Sequence, residues 1–375
     1  MDRANKNHAG QAPVCLPLRN GENAMSEDKK PKRGLDRRSL LLGAAGGVAV
    51  TGAAAAGFVT LDRQARSLRT PAAVEGGPAQ IAESFQDSRP AYAEAVTAPA
   101  DAPNIIVIVL DDIGFADLGC YGSEIATPNI DAIAGAGLRY SNFRTCAMCS
   151  PTRAALMTGL NHHSAAMGWL ADLDSGYPGY RGDLTHEAAT LAEVLQEKGW
   201  NTLHVGKWHV NVAHTNGANG PTDNWPTSRG FDRAYWFQGH STDYFRPGEL
   251  LEGTAPVEPP DRPGYFVVDD LTDRAIAYIN TQKSIDPERP FLLQLCYPAG
   301  HSPLQAPAAD RDTYRGKYDI GWDGVRTERL KRQQALGLVP ETTVLPPLAP
   351  GFPPGRPCRR RSRSCSPATW RSMPA

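Results

Sequence analysis

Ile105-Ile106-Val107-Ile108-Val109-Leu110 is an unbroken apolar run of mostly branched residues that stops at two acids, Asp111-Asp112. A run with no polar alternation fits a strand buried on both faces. Strands of that kind belong to parallel sheets covered by helices, so this hexapeptide constrains what the rest of the chain must supply.

The rest supplies it. Thr127 and Pro128 open a short helix with Ile130, Ile133 and Ala134 inward and Gly137 as its stop. Leu138 to Phe143 reads as a strand. Thr190 and Glu193 have the spacing of a capping box, for a helix burying Leu191, Val194 and Leu195 and ending at Gly199. Asn201 to Val205 is a strand; Leu271, Ala275 and Ile279 mark a helix; Phe291 to Leu295 is a further strand. Strand alternating with helix predicts an α/β fold with a mostly parallel central sheet flanked by helices.

The polar residues then fall into a pattern. Asp111-Asp112, Lys207 with His209, and His301 each lie just beyond the carboxyl end of a predicted strand. In open α/β sheets that edge is where ligands bind. Each group alone has a plainer reading: a polar strand end, a surface lysine, a loop histidine. Three segments bringing charge to one edge make the joint reading the better one. Paired carboxylates are hard oxygen donors suited to calcium or magnesium.

Cys149-Ser150-Pro151-Thr152-Arg153 adds a nucleophile. Pro151 followed by an apolar stretch reads as a first helical turn with Ser150 as N-cap and Pro151 at N1. Cys149 then lies at the helix mouth, where free N–H groups and the dipole favour negative charge, and Arg153 is within reach of the same mouth. In isolation the string is equally a helix cap beside a structural cysteine. Cys146-Ala147-Met148-Cys149 is formally a CxxC, but no second pair accompanies it as a zinc site would require.

Extended through Leu156-Met157-Thr158-Gly159, this string closely resembles the signature of the type I sulfatases of the alkaline phosphatase superfamily. The resemblance runs from about Pro103 to about Pro307. It takes in Pro103-Asn104-Ile105, Asp111-Asp112, Thr127-Pro128-Asn129-Ile130-Asp131, Gly206-Lys207-Trp208-His209 and Gly300-His301-Ser302-Pro303. It implies hydrolysis of sulfate monoesters, arylsulfatase-like, with Cys149 oxidised to formylglycine by a maturation enzyme. It further implies Asp111, Asp112 and residue 149 on a calcium ion, with magnesium possible in its place. Arg153 would orient the aldehyde hydrate, Lys207 would bind a sulfuryl oxygen, His301 would protonate the leaving oxygen and His209 would act as base on the hydrate. A phosphonate or phosphodiester hydrolase of the same superfamily is the alternative, as is a truncated, inactive sulfatase-like chain.

With Lys+Arg 39 against Asp+Glu 40, the chain shows no global charge that would recruit nucleic acid. Seven cysteines are too few and too scattered for a disulfide framework. Residues 1–60 read as an export region. Lys29, Lys30, Lys32 and Arg33 precede Arg37-Arg38 and a weakly apolar Ala/Gly-rich stretch, resembling a twin-arginine signal. That reading implies the twin-arginine export machinery as a partner and the bacterial periplasm as destination, with Met25 as the natural start. The stretch is too rich in Ala and Gly to make a good membrane anchor. Residues 61–102 form a polar linker, and 103–341 the amino-terminal portion of the catalytic domain.

The family further supplies an Asp-Asn or Asp-His pair and another lysine downstream; no such pair is found after His301. Asp223-Asn224 lies upstream, and no metal role is carried to it. The 342–375 tail is rich in Pro and Arg, without acids or periodicity. It reads as a disordered basic tail or, preferably, as sequence out of frame from near residue 340.

Overall fold

The computed structural model describes residues 79–90, 96–212 and 220–347. The expected export region, much of the linker and most of the tail lie outside them. The chain divides into two compact units, Met1–Ala93 and Glu94–Ala375. Within the first, the described residues carry a single antiparallel bridge, Gln80 to Arg89.

The second unit is a mixed α/β layer. Its elements are β1 (Ile105–Val109), α1 (Pro128–Ala136), α2 (Cys149–Thr158), α3 (Leu191–Gln196), β2 (Asn201–Lys207), β3 (Arg233–Phe237), β4 (Leu251–Glu252), β5 (Ala255–Pro256), α4 (Val267–Ile285), β6 (Phe291–Cys296), α5 (Ala308–Asp312) and α6 (Gly321–Ala335). The sheet order is β1-β6-β2-β3-β4-β5. Its first four members are mutually parallel, and β4 and β5 add an antiparallel rim.

Period-two alternation sorts each strand into two cores. Leu203, Val205, Tyr235, Phe237, Leu293 and Leu295 face α4 through Leu271, Ala275 and Tyr278. Leu292, Ala234 and Trp236 face the other way, with Ala154 and Met157 of α2 and Ala192 of α3. β2 and β6 are consequently buried on both faces. Among the described residues, no helix is long and apolar enough to cross a membrane.

Several expectations need correction. β1 is not buried on both faces: it is the sheet's edge, and Ile106 and Ile108 are 52% and 54% exposed. Their side of the sheet is the α4 side, and α4 packs over β2 and β6. Leu138 to Phe143 is not a strand; Leu138, Tyr140 and Phe143 are largely exposed, with no neighbouring strand to pair them. α1 is held by polar contacts rather than by an inward Ile133, which is exposed. Asp131 accepts from Thr127 Oγ1 (2.8 Å) and from the Cys120 N–H (2.7 Å), so Thr127 does not cap the helix. In α3 the Thr190–Glu193 capping box is present, but Ala192 takes the core position and Leu191 and Val194 stay exposed. Glu193 Oε1 also accepts from Arg229 Nε (2.8 Å).

α2 also begins earlier than expected. Met148 is its N-cap and Cys149 its first residue, with Pro151 still within the first turn, where it has no N–H to lose. Ser150 is fully buried and does not cap; its Oγ accepts from the Ala171 N–H (3.1 Å). Gly159 in the left-handed conformation ends the helix.

Candidate active site at the strand ends

α2 places Cys149 and Arg153 one above the other, since residues four apart share a helix face. β2 delivers Lys207 as its last residue. Gly206, at φ +106°, makes this possible: a Cβ there would stand 2.0 Å from the Cys296 carbonyl oxygen, so only glycine lets β2 pass β6 so closely. β1 ends one residue before Leu110, and Asp111 follows, its N–H held by the Ala299 carbonyl (3.1 Å).

These three segments meet. Lys207 Nζ donates to Asp111 Oδ2 at 2.5 Å, and Arg153 Nη2 stands 3.6 Å from Asp111 Oδ1. Arg153 Nη1 donates to the Lys207 carbonyl at 2.8 Å. All three side chains are buried. Two cations share one carboxylate, leaving a formal charge of plus one. Arg153 Nε is buried without a hydrogen-bond partner. A buried excess of positive charge with an unused donor favours an incoming anion.

Beside them, Cys149 Sγ lies 3.2 Å from His209 Nδ1. His209 is buried at φ +55°, a backbone conformation costly for a side-chain-bearing residue. Its other nitrogen, Nε2, is 3.2 Å from Asp172 Oδ2. Burial pushes the His209 pKa below the usual imidazole value; Asp172 opposes that, while Lys207 and Arg153 add to it. The hydrogen bond from His209 holds the Asp172 carboxyl below its ordinary range, against the effect of burial. Asp172 Oδ1 also faces His240 Nδ1 at 3.7 Å. The His240 ring stands between two others, 6.0 Å from His209 and 6.1 Å from His301.

His301 Nδ1 donates to the Ser302 carbonyl (2.7 Å), which leaves Nε2 as the nitrogen facing Asp112 at 3.7 Å. Tyr244 anchors this loop: its hydroxyl lies 2.6 Å from both the Pro298 and the His301 carbonyl oxygens. Burial, then the charges of Asp111 and Asp112, push the Tyr244 phenol up, so it stays a donor.

Each residue singled out in the sequence therefore stands at the carboxyl edge. Asp111, Lys207 and Arg153 form one contact group and Cys149, His209 and Asp172 another, joined through α2 and the 207–209 segment, with His301 and Asp112 as a further pair. The strand-end rule would also have found His240, three residues past β3, had the aromatic run Tyr235-Trp236-Phe237 been read as a strand. Asp172 sits in a loop and carries no sequence signal. Asn224, His162 and Asp117 have structural partners instead. Asn224 accepts from Arg229 and from Trp208, and His162 pairs with the Met167 carbonyl. Asp117 pairs with Arg329 of α6.

A calcium ion fits this arrangement poorly. Both Asp111 oxygens already face Lys207 and Arg153, and Asp112 is half exposed beside His301. Among the described residues, no group of three or more His, Cys, Asp or Glu stands where it could hold a metal. Calcium needs six or more oxygens.

The layered sheet and its strand ends define a mixed α/β protein whose parallel strands stop beside two buried cations. The sequence profile of the Sulfatase family matches residues 103–362, and the chain belongs to that family. It is 35% identical over 272 residues to an uncharacterized sulfatase of Schizosaccharomyces pombe, which covers 67% of this chain and 47% of that protein. It is likewise 35% identical over 262 residues to an arylsulfatase of Klebsiella aerogenes, 68% of this chain and 55% of that one. The solved structure of Ps i-CgsB is similar at 28% identity and a TM-score of 0.49, covering 63% of this chain and 53% of the other. The chain thus spans about half the length of the curated relatives it matches.

Proposed function

We propose that this chain carries the nucleophile half of a sulfate-monoester hydrolase, with residue 149 acting as formylglycine after oxidation of the cysteine by a maturation enzyme. The observation that supports it most is Cys149 at the first turn of α2, its sulfur 3.2 Å from His209 Nδ1, on the helix that also carries Arg153 and beside the strand end that carries Lys207. An aldehyde hydrate at position 149 supplies two hydroxyls on one carbon, one to attack sulfur and one whose deprotonation expels sulfate. Arg153 and Lys207 supply positive charge for the sulfuryl oxygens. His301 gives a proton to the departing alcohol oxygen. His209 Nδ1, facing residue 149, takes the proton from it. The net change adds one water, giving alcohol and sulfate.

The arylsulfatase names of the relatives suggest aryl esters as the first substrates to try. Calcium or magnesium belongs to this reading as the family's metal, with Asp111 and Asp112 as its carboxylates. Binding would require Asp111 to exchange a cation, and no step above runs through the metal. Export to the periplasm is a further part of the proposal, resting on the segment around Arg37-Arg38; amino-terminal sequencing of the secreted and retained forms checks it.

Mass spectrometry of the peptide carrying Cys149, from a host with the maturation enzyme, is expected to show replacement of the thiol by an aldehyde. The same sample is expected to cleave aryl sulfates faster than aryl phosphates or phosphonates. An unchanged thiol would remove the nucleophile, and a preference for phosphorus esters would favour the sister activity.

A further inference from the structure

Asp172 belongs to none of the roles above, yet it touches the ring those roles depend on. Its Oδ2 is 3.2 Å from His209 Nε2, and its Oδ1 faces His240 Nδ1 at 3.7 Å. A carboxylate only accepts hydrogen bonds, so the contact puts the His209 hydrogen on Nε2. In a neutral ring the other nitrogen is then a lone pair. That nitrogen, Nδ1, is the one 3.2 Å from Cys149 Sγ. His209 is buried two residues past the end of β2, in a left-handed backbone conformation.

We propose that Asp172 is a positioning residue: it accepts the Nε2–H of His209 and so fixes the tautomer whose Nδ1 lone pair faces residue 149. His240 Nδ1 stands 3.7 Å from the other carboxylate oxygen, Oδ1. The assignment rests on the reading of His209 as the base at residue 149, but the placement of the hydrogen is a separate, measurable fact. Nucleophile, imidazole and carboxylate in line is an arrangement recognised by geometry and not by sequence position.

The test uses the full chain labelled with ¹⁵N-histidine. Imidazole nitrogen shifts are expected to show His209 with a protonated Nε2 and a bare Nδ1. Asp172→Asn is expected to mix or reverse the two, because an amide can donate as well as accept. For the matured protein, Asp172→Asn is expected to lower kcat by about 100-fold with KM changed less than about threefold. Asp172→Glu, which keeps the charge, is expected to recover part of the loss. An unchanged His209 tautomer in Asp172→Asn overturns the proposal, whatever the activity. If the wild-type chain turns over no ester, the functional reading fails, and the tautomer on the same sample still decides the role of Asp172.

Discussion

Asp111→Ala is expected to destabilise the protein by about 3–5 kcal/mol, the usual cost of removing one partner from a buried ion pair. The reason is the imbalance at the strand ends. Lys207 is fully buried with its ammonium on Asp111, and Arg153 is buried with one guanidinium nitrogen facing the same carboxylate. Without Asp111, two desolvated cations face each other with no counter-charge. Urea unfolding would show the loss as a lower midpoint with little change in slope. Asp111→Ala combined with Lys207→Met is expected to recover part of it, since the ammonium goes with the carboxylate. A single-mutant loss below about 1 kcal/mol would mean that water reaches the cluster and that these charges are not truly buried.

His204→Met is expected to flatten the acid limb of the stability curve and to stabilise the protein at neutral pH. His204 is fully buried in β2 between Trp208 and Phe231, with ring centroids at 5.1 and 5.2 Å. Neither ring nitrogen makes a hydrogen bond. Burial, then the Arg153 charge, pulls its pKa from 6.5 to about 3; the Gly206 backbone is close enough to oppose this slightly, without forming a bond of good geometry. The folded protein therefore keeps the ring neutral where the unfolded chain binds a proton. Stability from this group is present above pH 6.5 and is lost as the pH falls towards 3, at about 1.4 kcal/mol per unit, or about 3 kcal/mol by pH 4.5. Methionine neither titrates nor leaves polar atoms unpaired, so the neutral-pH gain is about 1–2 kcal/mol. Thermal melts of both proteins from pH 7.5 to 4.5 would check it; parallel curves would sink the argument.

How much of this was legible in the sequence depended on where each residue's neighbours come from. The Thr190–Glu193 box is local, and it formed as the spacing required. β2 and β6 read correctly although Thr202, His204 and Gln294 interrupt their apolar residues, because both faces are covered and these polar side chains are buried too. β1 is the more uniformly apolar strand but lies at the sheet's edge, and nothing within six residues encodes strand order. The strand-end rule found Asp111, Lys207, His209 and His301 because it depends on topology alone. It missed His240 for want of its strand. It missed Asp172 because a loop acid is marked only by the ring it meets, 37 residues further on. Ser150 looked like a cap and became a buried acceptor for Ala171, a partner that only tertiary folding supplies.

α2 is fastened at both ends of its first turn to the end of β2 and the residues just past it: Arg153 to the Lys207 carbonyl, and Cys149 to His209. Nucleophile position and anion clamp therefore ride on one rigid body, keyed into the middle of the sheet. Such a site has no loose joint. It cannot be tuned by sliding one group against another, and chemistry and cohesion stand or fall as a single event.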